Sequence, residues 1–230
     1  MAREPLDRKI NHLVEQVLVL DSMVEEAILQ SVEALKRQDL ELAKIIYTND
    51  KTINAKRYDL ENDCITIIAT QQPIMARDLR LLASILEVAA ELERMGDYAK
   101  GIATISLRIG NESHIKPLVD IPRMAELSVS MLHRAIGAFV RGDVEEARHI
   151  PKEDDMVDDL YNQVYRELVT IMFTNPATID QANYLMWVAH NIERVADRVT
   201  NICERTIYTQ TGDLREIDVS DDEHRSWLIP

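Results

Sequence analysis

Two short stretches of this chain carry carboxylates at a spacing that could do chemistry. "AAELERMGDYAKGIA" covers residues 89–103, and "AHNIERVADRVTNIC" covers residues 189–203. Each contains E-R-x-small-D: Glu93, Arg94 and Asp97 in the first, Glu193, Arg194 and Asp197 in the second. On a helix, positions four apart share a face. A like-charge pair there costs roughly 0.2–0.5 kcal/mol, and this chain carries that cost at matching places in both halves. A second acidic pair, Asp154 and Asp158, precedes the second copy, and Asp50 with Asn54 precedes the first. Carboxylates converging from two adjacent helices form a hard-oxygen site suited to Mg²⁺, Mn²⁺, Fe or Ca²⁺. The bland alternative for any single E-x-x-x-D is a solvated charged face.

The helices that must position these residues are legible as heptad spacing. Leu6, Ile10, Leu13, Val17, Leu20, Val24, Ala27, Ser31 and Ala34 step 4-3-4-3, which predicts a long bundle helix. Asp39 can N-cap a second helix, which runs to about Thr70 and is stopped by Pro73. Leu81, Ile85, Val88, Leu92, Met95, Ala99, Ile102, Ser106 and Ile109 give the third. Asp78 at its start answers the helix dipole.

The second half repeats the plan. "VRGD" at 140–143 matches "KRQD" at 36–39, "EDDMVDD" matches "TNDKTIN" so that Asp154 and Asp158 fall on Asp50 and Asn54, and "TNP" at 174–176 matches "QQP" at 71–73. Pro151 separates a short helix at 143–149 from a longer one after it. The expected architecture is all-α: two tandem, similar three-helix bundles at 1–110 and 123–212, a linker at 111–122, and an acidic, aperiodic, frayed tail at 213–230 in which Trp227 and Leu228 could dock. No sustained period-2 run supports a β reading.

With Leu92 set to zero on a helical wheel, Glu93 falls near about 100° and Asp97 near about 140°, away from the Met95–Ala99–Ile102 stripe. The carboxylates are therefore expected to point outward. The same side holds Leu86, Ala90, Gly101 and Thr104 in the first half, and Met186, His190, Asn201 and Glu204 in the second. His190, Glu193, Asp197, Asn201 and Glu204 thus form one stripe of potential ligands. Arg94 and Arg194 are expected to pair with neighbouring acids, and a phosphate contact is the sharper alternative.

Bulk composition narrows the classes. Of 230 residues, 46% are hydrophobic and only 5% aromatic, which suits helices better than a β-sandwich. A net charge of −14 opposes nucleic-acid binding. Cys64 and Cys203 form no C-x-x-C and are expected as buried thiols in a reducing compartment. "MAREPLDRKI" lacks the apolar region of a signal peptide, and no long apolar run spans a membrane. The expected location is the cytoplasm.

Together these features resemble the PhoU family of phosphate-transport regulators. The resemblance rests on "QQPIMARDLRLL" followed by "ELERMGDYA", and on "HNIERVADRVTNICE" followed by "IYTQTGD", and covers about residues 6–212. It implies six helices in two similar bundles, and a cytoplasmic negative regulator that is not an enzyme. Its implied partners are the ATPase subunit of a phosphate ABC transporter and a phosphate sensor histidine kinase, with a homodimer and only peripheral contact with membrane complexes. Some members carry multinuclear iron or zinc clusters. By position, the metal ligands implied here are Glu93, Asp97 and Asp50, then Glu193, Asp197, Asp154 and Asp158, with His190, Asn201 and Asn54 as weaker candidates. The first half departs from the acidic pattern at Asn54 and Gly101.

Two other readings stand beside this one. A helical di-iron carboxylate enzyme would need inward Glu residues and two E-x-x-H motifs, and only Glu146–His149 is present. A metal-free scaffold would use the helix faces for docking alone.

Overall fold

In the computed structural model, residues 4–71, 73–215 and 217 are described. Six long helices and one short one account for nearly all of them: α1 (Glu4–Arg37), α2 (Leu40–Thr70), α3 (Ala76–Ile109), α4 (Asp120–Arg141), α5 (Val144–His149), α6 (Asp154–Thr174) and α7 (Ile179–Thr211). Helices α1, α2 and α3 pack on one another, as do α4, α6 and α7. The two tandem bundles expected from the heptads are present. Pro151 falls in a 3-10 turn over Ile150–Glu153, so that α5, this turn and α6 replace the single helix α2 of the first repeat.

The duplicated "KRQD" and "VRGD" turns are built alike. The backbone N–H of Asp39 donates to Ala34 O at 2.9 Å, and that of Asp143 donates to Ala138 O at 2.9 Å. Both are the long bond that closes a helix through a left-handed residue. That residue is Gln38 in the first turn (φ 57°) and Gly142 in the second (φ 67°). Gln38 bears a conformational cost that glycine avoids. Its side-chain amide compensates by donating to Glu112 O at 2.5 Å. Asp39 then caps Leu42 N at 2.9 Å, and Asp143 caps Glu146 N at 3.1 Å.

Several positions differ from the sequence reading. The connection between repeats spans 110–119 rather than 111–122, because α4 starts at Asp120 and takes Pro122 into its first turn, where a missing N–H costs nothing. It is also strapped down. The Gln181 side chain on α7 accepts from Ile115 N at 2.7 Å and donates to Ser113 O at 3.1 Å, and His114 Nε2 lies 2.9 Å from Leu35 O. The tail is held at its start, where Ile217 N donates to Glu204 Oε1 at 2.8 Å. Trp227 and Leu228 lie outside the described residues. On α1, Ile28, Val32 and Leu35 are buried where the stripe led to Ala27, and on α3 Leu82 is buried while Leu81 is not.

These shifts share a cause. Helix α3 packs not only on α1 and α2 but also on α7, and α1 packs on α4. One continuous apolar core therefore runs from Leu6 to Ile207 through both repeats. Helices buried on two sides show wider apolar faces than a heptad seam. At the α3–α7 contact, Gly101 meets Asn191, whose Nδ2 would lie 3.1 Å from an added Cβ. Beside it sits a buried ion pair. Arg198 Nη1 donates to Glu91 Oε2 at 2.7 Å, and Arg198 Nε donates to Tyr98 Oη at 2.8 Å. Both cysteines are free and buried, and burial pushes each thiol up to about 12, which keeps them unreactive. Among the described residues, no helix is long and apolar enough to cross a membrane.

Two stability predictions follow from this packing. Leu92→Ala should cost about 2–5 kcal/mol through lost burial and a cavity, whereas Glu93→Ala with Asp97→Ala should leave urea unfolding nearly unchanged, since both side chains are partly solvated. Breaking the seam pair by Arg198→Met should destabilise by about 1.5–3 kcal/mol, since Glu91 keeps Arg94 at 3.3 Å. Adding Glu91→Leu should recover much of that loss, as read in a double-mutant cycle of urea midpoints.

Candidate metal centres

The E-R-x-small-D copies lie in the middle of α3 and α7, and the preceding acids lie on the helices that cross them. The small residue sets the distance between those helices. At Gly96, an added Cβ would lie 3.1 Å from Ile53 Cγ2 on α2. The backbones thus approach closely, and Asp50 and Asn54, on either side of Ile53, are carried up to Glu93 and Asp97. In the second repeat, Ala196 takes the same place and is fully buried, as is Val157 between Asp154 and Asp158.

In the first repeat, the charges of Asp97 and Asp50 both reach Glu93, and that of Asp50 reaches Asp97. Burial first, then these neighbours, hold both groups above the usual carboxylate range. Asp50, expected as an outward ligand beside them, is instead turned inward. It is 3% exposed, because it lies between α2 and α3. Its Oδ2 accepts from Lys100 Nζ at 2.6 Å and from Asn54 Nδ2 at 3.3 Å. Lys100 also lies 3.8 Å from Asp97, and over the Tyr47 ring at 5.7 Å. The hydrogen bond to Asp50 holds Lys100 above the ordinary lysine range, so it remains an ammonium. The first face therefore contains its own cation.

The second face has no lysine at that position, where the matching residue is Thr200. Asp154 is 8% exposed, again buried rather than outward. Burial, then the charges of Asp158, Asp197 and Glu193, push it up to about 7. Asp154 thus lies within electrostatic reach of the other three acids expected here. Asp154 Oδ1 is buried with no hydrogen-bond partner among the described residues. His190 Nδ1 lies 3.1 Å from Glu193 Oε2, and its ring is 6.2 Å from that of Tyr161 on α6. Burial and the Glu193 charge raise Tyr161.

The remaining candidates fare differently. Asn201 is exposed one turn beyond Asp197. Glu204, at the end of the expected ligand stripe, instead holds Ile217, and Gly101 belongs to the α3–α7 contact rather than to an open face. The arginines pair with acids: Arg94 with Glu91 at 3.3 Å, and Arg194 with Asp197 at 3.7 Å. Asp78 sits buried in the first turn of α3. Glu146, the acid of the lone E-x-x-H, accepts from Arg134 Nε at 2.8 Å.

A hard cation fits the second face better than the first. Mutually repelling carboxylates around a buried acid are what a multivalent cation neutralises. Each face has a buried acid oxygen without a hydrogen-bond partner among the described residues, Asp50 Oδ1 and Asp154 Oδ1, so the difference between the faces is the lysine. The neighbouring imidazole extends the choice to Fe, Mn or Zn. Lys100 already supplies a positive charge to the first face. The sequence reading missed Lys100, although its place three residues after Asp97 is the available signal. It also missed Glu91 and Arg198, whose roles depend on how two helices meet.

The PhoU domain matches this chain twice, over residues 17–106 and 121–206. The phosphate-specific transport system accessory protein PhoU homolog of Clostridium acetobutylicum is 34% identical over 96% of this chain and 100% of its own length. The accessory protein PhoU of Escherichia coli is 36% identical over 88% of this chain and 84% of its own. The crystal structure of the phosphate transport system regulatory protein PhoU from Streptococcus pneumoniae superposes with a TM-score of 0.84 at 30% identity, covering 93% of this chain and 99% of that one. With both repeats matched and the relatives aligned nearly end to end, this chain belongs to the PhoU family.

Proposed function

We propose that this protein is a regulator of phosphate transport that restrains phosphate uptake and the starvation response when phosphate is plentiful. In this reading it couples the ATPase subunit of a phosphate ABC transporter to a sensor histidine kinase, acts as a dimer, and is not itself an enzyme. The observation that carries it is end-to-end similarity to relatives named as accessory proteins of the phosphate-specific transport system. The duplicated acid faces supply a chemical role within it: a metal ion held by Asp154, Asp158, Glu193 and Asp197, with His190 at its edge. A bound cation would supply charge neutralisation, drawing α6 and α7 together. The residues themselves orient the oxygens, and burial keeps water from Asp154 Oδ1. The di-iron alternative is weakened because Arg134 engages Glu146, the acid of its one motif.

Four outcomes test this reading. In pull-downs from phosphate-replete cells, the transporter ATPase and the sensor kinase should be recovered with the protein; recovery of neither would count against the coupling role. Deletion should raise a phosphate-starvation reporter in rich medium. Metal analysis of purified variants should show a larger loss of bound Fe, Mn or Zn for Glu193→Ala with Asp197→Ala than for Glu93→Ala with Asp97→Ala. Lys100→Met should increase metal binding at the first face, because it removes the resident cation. Equal losses in the two double variants would refute the asymmetry.

A further inference from the structure

A second kind of ligand set lies away from both acid faces, where α1 crosses α4. Asp21 and Glu25 stand four apart on α1, and His133 faces them from α4. One ligand atom from each lies within 4.8 Å of the other two, and His133 Nδ1 is 3.1 Å from Glu25 Oε1. Around a tetrahedral Zn²⁺ with bonds of about 2.05 Å, ligand atoms stand about 3.3 Å apart. The Glu25–His133 edge is already that short. The remaining distances are up to 4.8 Å, and the His133 side chain, 75% exposed, has room to turn toward Asp21.

Asp21 is the unusual member. It is 5% exposed, in a helix face otherwise packed with Leu20, Val24 and Ile28. Its Oδ1 has no hydrogen-bond partner among the described residues. A buried carboxyl oxygen without a partner costs stability unless something meets it. Burial, then the charge of Glu25 and a hydrogen bond to it, push Asp21 up to about 8. A shared proton can relieve two such carboxyls, and so can a metal ion.

We propose that Asp21, Glu25 and His133 form a separate Zn²⁺-type site that clamps the two repeats together. The donor set decides the class of metal. Two carboxylate oxygens and one imidazole nitrogen suit a borderline first-row cation better than Mg²⁺ or Ca²⁺. Three protein ligands leave a fourth position for water, on the solvent side where His133 and Glu25 reach outward. Because α1 belongs to the first repeat and α4 to the second, an ion here cross-links them at the crossing that does not involve α3 and α7.

The test must separate this site from the acid faces. Zn²⁺ content after equilibrium dialysis is measured for the protein carrying Glu93→Ala, Asp97→Ala, Glu193→Ala and Asp197→Ala, with and without His133→Ala. The fourfold variant should retain one tightly bound equivalent that disappears with His133→Ala. In the otherwise natural protein, His133→Ala and Asp21→Asn should each remove one equivalent and lessen the rise in Tm caused by Zn²⁺. His133 is exposed, so its replacement leaves folding intact. An unchanged Zn²⁺ content in both His133→Ala proteins, or no Zn²⁺ on the fourfold variant, would overturn the proposal.

Discussion

The architecture depends on how α3 and α7 meet. Each is the central helix of its own bundle, and each also lies against the other. A wholly apolar contact would bury well but would leave relative rotation weakly specified. The Arg198 guanidinium fixes it, by donating to Glu91 on one side and to the Tyr98 hydroxyl on the other. Desolvating such a pair repays little net stability, so its contribution is to select one arrangement of the repeats. Tyr98 and Arg198 occupy the same place after E-R-x-small-D in the two copies, as do Glu91 and Asn191 before it. Of the two matching residue pairs, Glu91 with Arg198 and Asn191 with Tyr98, only the first can be ionic.

From that seam the acid faces follow. With α3 and α7 held back to back, their carboxylates can turn only toward α2 and α6. The small residue in the motif then acts as a spacer of minimal size. Gly96 lets Ile53 approach until Asp50 is buried against α3. The carboxylates are not simply displayed on a surface. Asp50 and Asp154 are buried at the helix crossings, with the motif acids at the rim, so each face grades from buried to solvated. Repulsion in such an arrangement is strong because little water screens it.

Much of this was legible in the sequence, for reasons tied to particular residues. The heptads of α1 and α3, the Asp39 cap and the two Pro-containing breaks are local signals, and the local signals placed the helices. The duplicated motifs fixed the correspondence between halves, and family likeness followed from them. What was not legible was non-local. The wheel placed Asp97 outward correctly but could not show that Asp50 lies inside a crossing. The heptad stripe led to Ala27 on α1 because it assumed one partner, and α1 has α4 as well. Glu91 reads as a surface acid until Arg198, 107 positions later, is seen to bind it. Glu204 reads as a ligand until the tail returns to it.

Lys100 gives the two halves different relations to their surroundings. An ammonium on a four-carbon arm is a counter-ion on a covalent tether, present at the first face at a fixed effective concentration whatever the solution contains. At the second face the matching position is Thr200, and the cation on hand is Arg194, 3.7 Å from Asp197 at the rim. Duplication thus produced one half whose tethered cation is bonded to the buried acid, Asp50, and one whose cation sits with the rim acid, Asp197.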